Sequence, residues 1–227
     1  MFRRAELRLA RYVYAEPDMT PAEIIEQLRR GLVADPPPNS RWSVAGRVDG
    51  AVAVPLQPAG DDLVIWLTKR ADGLRHHARE ISFPGGQREP EDPSLLAAAL
   101  RELEEEVGVP ASAVQVLGPL APVPTATSNF LLNPFLVVLR SDQQASPSVR
   151  EVAELVRLSV DSVLAGRVSF AAIELGDHRS PIFDFGGRIG SVYGATAYVL
   201  EEVLRRCAEI TQRKMPEPTL TEEIPWN

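Results

Sequence analysis

The chain has 227 residues, of which 44% are hydrophobic and 24% charged, with a formal net charge of −7; this is the profile of one soluble domain of generous size, or one domain with extensions. The acidic balance argues against broad binding to nucleic acid or an anionic membrane, because no basic surplus exists to neutralise phosphates. The single cysteine, Cys207, excludes an intrachain disulfide and a cysteine-based zinc site, and it reads as a small buried hydrophobe. No apolar run approaches the ~20 residues that span a bilayer. The N-terminus lacks the continuous apolar core of a secretion signal, so the cytoplasm is the expected location.

Residues 5–15 have the pattern of a short amphipathic helix. A firmer helix start is TPAEIIEQLRRGL, where Thr20 caps, Pro21 suits the first turn and Glu23 completes a capping box. Ile24, Ile25, Leu28 and Leu32 form its apolar face, and Gly31 or the prolines Pro36–Pro38 end it. This segment reads as an N-terminal helical extension, residues 1–45. From Ala51, AVAVPLQ and LVIWLTKR flank a Gly60-Asp61-Asp62 turn and predict a β-hairpin. A cation-rich loop, RADGLRHHARE, leads into FPGGQREPEDP and then a helix expected to be capped by Asp92, with Pro93 in its first turn and Leu96, Leu100, Leu103 and Val107 towards the core. Further strands are expected in AVQVLGPLAPV, NPFLVVLR, VSFAAIEL and PIFDF. REVAELVRL is ambiguous between strand and helix, and SVDSVLAG reads as a short helix capped by Ser159. YGATAYVLEEVLRRCAEIT is the final helix, and its Leu/Val/Ala-rich face suits packing or a homodimer interface. The main domain is expected over residues 46–212, followed by a Pro-rich tail over residues 213–227, extended or loosely ordered. The elements add up to a mixed sheet with a few helices, an α+β fold or α/β/α sandwich.

The chemistry concentrates between Phe83 and Val109. At about 100° per residue, Glu102, Glu105 and Glu106 share one stripe of the helix, away from the Leu/Val face. Carboxylates crowded in this way repel one another, and a hard cation of the magnesium type relieves that repulsion. On the carboxylates alone, a solvated acidic surface is the competing reading. Pro84-Gly85-Gly86 supplies backbone that can approach a metal or phosphate closely, and Gly108 is a natural helix stop. Arg101 stands four residues before Glu105, at the spacing that lets it orient that carboxylate. Upstream, Lys69, Arg70, Arg75, His76, His77 and Arg79 form a cationic stretch in an otherwise acidic chain, and arginine forks suit phosphate groups. Trp66 reads as core, and His178 as structural.

Residues 101–109, RELEEEVGV, with FPGG before them, resemble the Nudix box, G-x5-E-x7-R-E-U-x-E-E-x-G-U with U a bulky aliphatic residue. The helix half matches at every specified position. The front half is one residue longer, and Asp92, Glu89 or Glu91 stands where the family has its early glutamate. Leu67 to Gly86 is similar to the signature preceding the box in coenzyme A diphosphatases, through Thr68, Arg70, Ala71, Arg75 and Phe83 to Gly86, with Arg79 in place of an expected glycine. Asn133-Pro134-Phe135 and YGATAYVLEEVL resemble segments of the same group.

The resemblance implies a Nudix-type α/β/α sandwich and a hydrolase that uses Mg²⁺ or Mn²⁺, held by Glu102, Glu105 and Glu106 with the carbonyl of Gly85 as a further ligand. It implies that Arg101 positions Glu105. The general base is a box glutamate or an acidic residue of a later loop, with Glu151 the candidate and Glu154 behind it. Lys69, Arg70, Arg75, His77 and Arg79 would bind a small nucleotide substrate resembling coenzyme A. The products would be 3′,5′-ADP and 4′-phosphopantetheine. The alternatives are a Nudix hydrolase for ADP-ribose, a dinucleotide or an oxidised nucleotide, and a catalytically silent Nudix-like ligand-binding module.

Overall fold

A computed structural model describes residues 19–34, 47–71, 80–126, 129–176, 178–187 and 189–223. The expected helix over 5–15 lies outside them, as do Trp42, Trp226, Arg75, His76, His77 and Arg79. Helix α1 spans Pro21–Ala34. Its capping box forms as expected: Thr20 N–H and Oγ1 both donate to Glu23 Oε2 at 2.8 Å, and Glu23 N–H returns to Thr20 Oγ1 at 3.3 Å. Gly31 does not end it, because the helix continues through that residue to Ala34.

The hairpin forms as strands β1 (Val48–Ala59) and β2 (Asp62–Arg70), antiparallel from Leu56↔Ile65 to Ala59↔Asp62. Strands β3 (Ile81–Ser82) and β4 (Gly85–Gln87) follow, then helix α2 (Leu95–Val107). Strands β5 (Val114–Pro119), β6 (Val123–Pro124), β7 (Phe130–Leu139) and β8 (Val152–Ser159) complete the large sheet. Its order is β3-β2-β1-β7-β5, with β4 also paired to β1, β6 to β7 and β8 to β2. The β1–β7 pair is parallel and the others are antiparallel. The ambiguous REVAELVRL is therefore strand from Val152, and it is followed by the short helix α3 (Val160–Leu164) with Ser159 Oγ accepting from Ser162 N–H at 2.9 Å. Strands β9 (Ser169–Leu175), β10 (His178–Asp184), β11 (Ser191–Val192) and β12 (Thr219–Leu220) make a second sheet, and helix α4 spans Gly194–Ile210.

Both faces of β1 are covered, so it reads as a continuous apolar run and lacks the alternation of a half-exposed strand. Val52, Val54 and Leu56 join Ile65, Leu67 and Phe83 in a core covered by Ile24, Leu28 and Leu32 of α1 and by α3, α4 and the second sheet. Ala51 and Ala53 face the other way, with Trp66, Val137 and Leu139, and pack against Ala98, Ala99, Leu103 and Val107 of α2. The result is the expected α+β, mixed-sheet sandwich, with α2 the one α-helix among the described residues on its face of the central strands.

Two expectations need correction. The cap of α2 is Ser94, whose Oγ accepts from Ala97 N–H at 3.1 Å; the carboxylate of Asp92 is already engaged by Arg101 and the Glu89 N–H. The buried face of α2 is centred on Ala98, Ala99, Leu103 and Val107, while Leu96 and Leu100 are half-buried, because the small side chains of Ala51 and Ala53 admit the alanine side of the helix. Of the two forms expected for the tail, the extended one holds as far as it is described: Met215 is buried, Thr219 and Leu220 pair with β9, and Thr221 N–H donates to Ala172 O at 3.0 Å.

Candidate active site

The shifted face of α2 decides where its carboxylates go. Glu106 follows Leu103 by three residues and Ala99 by seven, so it lies on the buried stripe. Its side chain is 4% exposed, against 14% for Glu102 and 54% for Glu105. The three glutamates thus run from the core to solvent, which corrects the expectation that all three lie away from the packed face.

Glu106 is met by β2 and β4. Thr68 Oγ1 donates to Glu106 Oε2 at 3.3 Å and Arg70 Nη1 lies 3.9 Å from Oε1, and the backbone of Gly85 favours the charged form of the carboxyl. Thr68 and Arg70 share a face of β2 with Trp66, which packs under α2. Period-two alternation from a core tryptophan therefore points both side chains at the carboxylates, a signal the sequence carried for Thr68. By the same alternation Lys69 projects from the opposite face, and its Nζ donates to Ile189 O at 2.9 Å. The structure thus brings Arg70 to the carboxylates and takes Lys69 elsewhere.

Arg101 organises the exposed end. Its Nη1 donates to Glu102 Oε1 at 2.9 Å and to Glu105 Oε2 at 3.0 Å, as the spacing predicted for Glu105. Its Nε and Nη2 grip Asp92 Oδ1 and Oδ2 at 3.2 and 3.1 Å, and Nη2 also donates to Gln87 O at 3.3 Å. Of the three acidic residues offered before the helix, Asp92 is the buried one, and Glu89 and Glu91 are exposed. The longer front half is taken up in a turn closed on itself, with Asp92 N–H on Glu89 O at 3.1 Å and Arg88 Nε and Nη2 on Asp92 O at 3.2 and 3.1 Å.

The glycines are fixed by close approach. A Cβ on Gly85 would strike Ala51 O and come within 2.7 Å of Val52 Cα in β1. A Cβ on Gly86 would strike Glu102 Oε1 and lie 2.8 Å from Glu102 Cδ. The turn backs directly onto the carboxylate row.

The loop from Ser141 to Glu151 carries no sequence signal for its role. Ser148 N–H donates to Glu106 O at 2.9 Å and Ser146 N–H to Val107 O at 2.8 Å, so the loop satisfies the open carbonyls at the end of α2 beside Gly108 (φ 74°). It delivers Glu151, whose carbonyl accepts from Ala71 N–H at 2.9 Å and whose charge reaches Glu102. Glu154 stands opposite Lys69 in the β2–β8 pairing.

Burial pushes the Glu106 carboxyl up to about 7, with Arg70 opposing the rise and Glu102 adding to it. Burial likewise raises Glu102, against the pull of Arg101 and helped by Glu105 and Glu151. Among the described residues no three His, Cys, Asp or Glu side chains already converge as a metal shell; Glu102 and Glu105 are instead drawn onto Arg101. The donor set nevertheless fits a hard divalent cation. It is all carboxylate, it is partly desolvated, and its members raise one another's affinity for positive charge.

A carboxyl that binds its proton more tightly in the fold than in the unfolded chain stabilises the fold at low pH, and that contribution disappears as pH rises through the folded value. The thermal midpoint of the metal-free protein should therefore fall between pH 4.5, the ordinary glutamate value, and about 7. Glu106→Gln should remove that part of the fall. A midpoint that rises across the interval in the wild type and not in the variant would contradict this placement of Glu106.

A family model described as the NUDIX domain matches residues 46–175. The chain is 32% identical over 157 residues to the Nudix hydrolase NudL of Yersinia enterocolitica, covering 69% of this chain and 80% of that protein. It is 39% identical over 127 residues to NudL of Yersinia pestis, covering 56% of this chain and 63% of that protein, so it spans less than two thirds of that relative. Among solved structures it is similar to the M. smegmatis Nudix hydrolase RenU, with 24% identity, 52% of this chain and 74% of that chain covered, and a TM-score of 0.44. DR0079 of Deinococcus radiodurans matches with 20% identity, 74% and 88% coverage, and the same TM-score of 0.44. With the family model spanning more than half its length and the box carboxylates standing on α2, the chain belongs to the Nudix hydrolase family.

Proposed function

We propose that this Nudix hydrolase cleaves the diphosphate of coenzyme A or one of its derivatives, releasing 3′,5′-ADP and 4′-phosphopantetheine. The observation that carries the reading is Arg70. This arginine belongs to the upstream stretch similar to the coenzyme A diphosphatase signature, and its guanidinium stands at the carboxylate row. Its Nη1 is 3.9 Å from Glu106, and its buried Nε has no hydrogen-bond partner among the described residues. A cationic fork with an unused donor beside metal-type carboxylates suits a diphosphate. In the sequence Arg75, His77 and Arg79 extend the same cationic stretch, and we assign them to the phosphates of the substrate.

Glu102, Glu105 and Glu106, with the carbonyl of Gly85, would hold Mg²⁺ or Mn²⁺. When bound, the metal lowers the pKa of a coordinated water and offsets charge on the diphosphate. The protein's own groups do the rest. Arg101, gripped by Asp92, keeps Glu102 and Glu105 at a fixed spacing. Thr68 holds Glu106 in one orientation. Arg70 would draw the diphosphate to the row, and Glu151, on the loop that caps α2, is the candidate to accept the proton of the attacking water.

A single hydrolysis panel, with the nucleotide products separated by chromatography, tests the substrate: coenzyme A, acyl-CoAs, ADP-ribose, NADH and dinucleoside polyphosphates, each with Mg²⁺ or Mn²⁺. The expected result is the highest kcat/KM for coenzyme A or an acyl-CoA. Preference for ADP-ribose or a dinucleotide would move the assignment to another Nudix substrate class, and binding without turnover would make the domain a ligand-binding module.

A further inference from the structure

The loop that carries Glu151 is held along its whole length. Its middle is tied to α2 by Ser146 N–H on Val107 O and Ser148 N–H on Glu106 O, and its end by Ala71 N–H on Glu151 O. Ala71 directly follows Arg70, so that last bond lies beside the arginine of the carboxylate row. The start of the loop, where the chain leaves β7, is held by a side chain. Gln57 Nε2 donates to Arg140 O at 3.1 Å, Ser141 O at 3.3 Å and Gln143 O at 2.9 Å. Gln57 stands on β1 and is only 7% exposed, a position that costs free energy unless the polar atoms are matched. They can be matched in one way alone. The Trp66 Nε1–H can only donate, and it does so to Gln57 Oε1 at 3.1 Å. The loop carbonyls can only accept, so the nitrogen must face them. Trp66 is itself fixed, fully buried on β2 with the Arg157 guanidinium of β8 5.0 Å from its ring centroid. The core thus gives the carboxamide a single orientation.

We propose that Gln57 is a positioning residue. Its carboxamide, locked by Trp66, sets how the loop from Ser141 to Glu151 lies along the end of α2, and so where the Glu151 carboxylate stands at the row. The catalytic half of this proposal rests on the reading of Glu151 as proton acceptor given above, and the loop anchor does not.

Gln57→Met keeps the length of the side chain and removes both polar atoms. Backbone amide exchange, followed by mass spectrometry on the metal-free full-length protein, should speed up in peptides covering residues 140–151, while peptides of α4 stay protected. With the preferred substrate of the panel, kcat should fall about tenfold with KM within about threefold of wild type, because the misplaced group acts in the transition state. Gln57→Glu keeps the acceptor for Trp66 but turns an oxygen on the loop carbonyls, and it should reproduce both effects. Val203→Ala opens a cavity in the other core; it should lower the thermal midpoint and leave kcat within about twofold of wild type. Gln57→Met combined with Glu151→Gln should be no slower than Glu151→Gln alone. Unchanged exchange over residues 140–151 in both Gln57 variants would overturn the anchor. Faster exchange with kcat unchanged, a double variant slower than Glu151→Gln, or a kcat in Val203→Ala that falls as in Gln57→Met would overturn the positioning role. A wild type that turns over no compound in the panel contradicts the diphosphatase reading, and Glu151→Gln at the wild-type rate contradicts the role of Glu151. In either case the exchange comparison decides the anchor by itself.

Discussion

Replacing Glu105 with glutamine should lower kcat on the preferred diphosphate about a thousandfold, about 4 kcal/mol of transition-state stabilisation, and leave the fold intact. Glu105 is the most exposed of the three carboxylates, at 54%, and its one ion pair within the helix is with Arg101. A solvent-exposed pair of this kind contributes at most about 0.5 kcal/mol to stability, so its loss should move the thermal midpoint by no more than about 2 °C. The expected result is thus a folded, inactive protein. Glutamine is close in shape and still offers an oxygen to Arg101, but it removes the negative charge a divalent cation needs. Activity within tenfold of wild type would mean that Glu105 is surface charge, and that the metal assignment is wrong.

The two glycines of the turn should separate fold from chemistry. In Gly85→Ala the new methyl meets main chain, Ala51 O and Val52 Cα at the centre of β1, which cannot retreat without breaking the β1–β4 pairing. Strain of that kind costs about 1–3 kcal/mol, and the thermal midpoint should drop along with activity. In Gly86→Ala the methyl meets the far end of the Glu102 side chain, which can swing away and release its hold on Arg101. Stability should then be nearly unchanged while kcat falls about a hundredfold, the order of loss expected from a misplacement of about 1 Å in a reacting constellation. Equal loss of stability in both variants, measured by thermal unfolding beside the kinetics, would show that the turn serves only the fold.

Much of this arrangement was legible in the sequence. The hairpin, the Thr20–Glu23 box, the Gly108 stop and the Arg101–Glu105 spacing all depend on neighbours within a few residues, and local rules govern those. What escaped depends on partners far along the chain. Asp92 resembled a helix cap and is a partner of Arg101, because Ser94 was available to cap and a half-buried guanidinium needed a carboxylate. Glu106 resembled one more surface acid and is buried, because Ala51 and Ala53 let the alanine side of α2 settle on β1. Lys69 and Arg70 looked equivalent as neighbouring cations, yet strand alternation sends them to opposite faces. The role of the Ser146–Ser148 backbone in closing α2 leaves no trace in residue type, since N–H groups donate whatever the side chain.

The central claim is that carboxylates on α2 do their work through a bound divalent cation. The most direct test is turnover of the preferred substrate after exhaustive chelation, followed by titration with Mg²⁺ or Mn²⁺. The account predicts no product in chelator and recovery of the full rate on adding either ion, with no recovery in Glu105→Gln at the same ion concentrations. Turnover that survives chelation at the wild-type rate would contradict it.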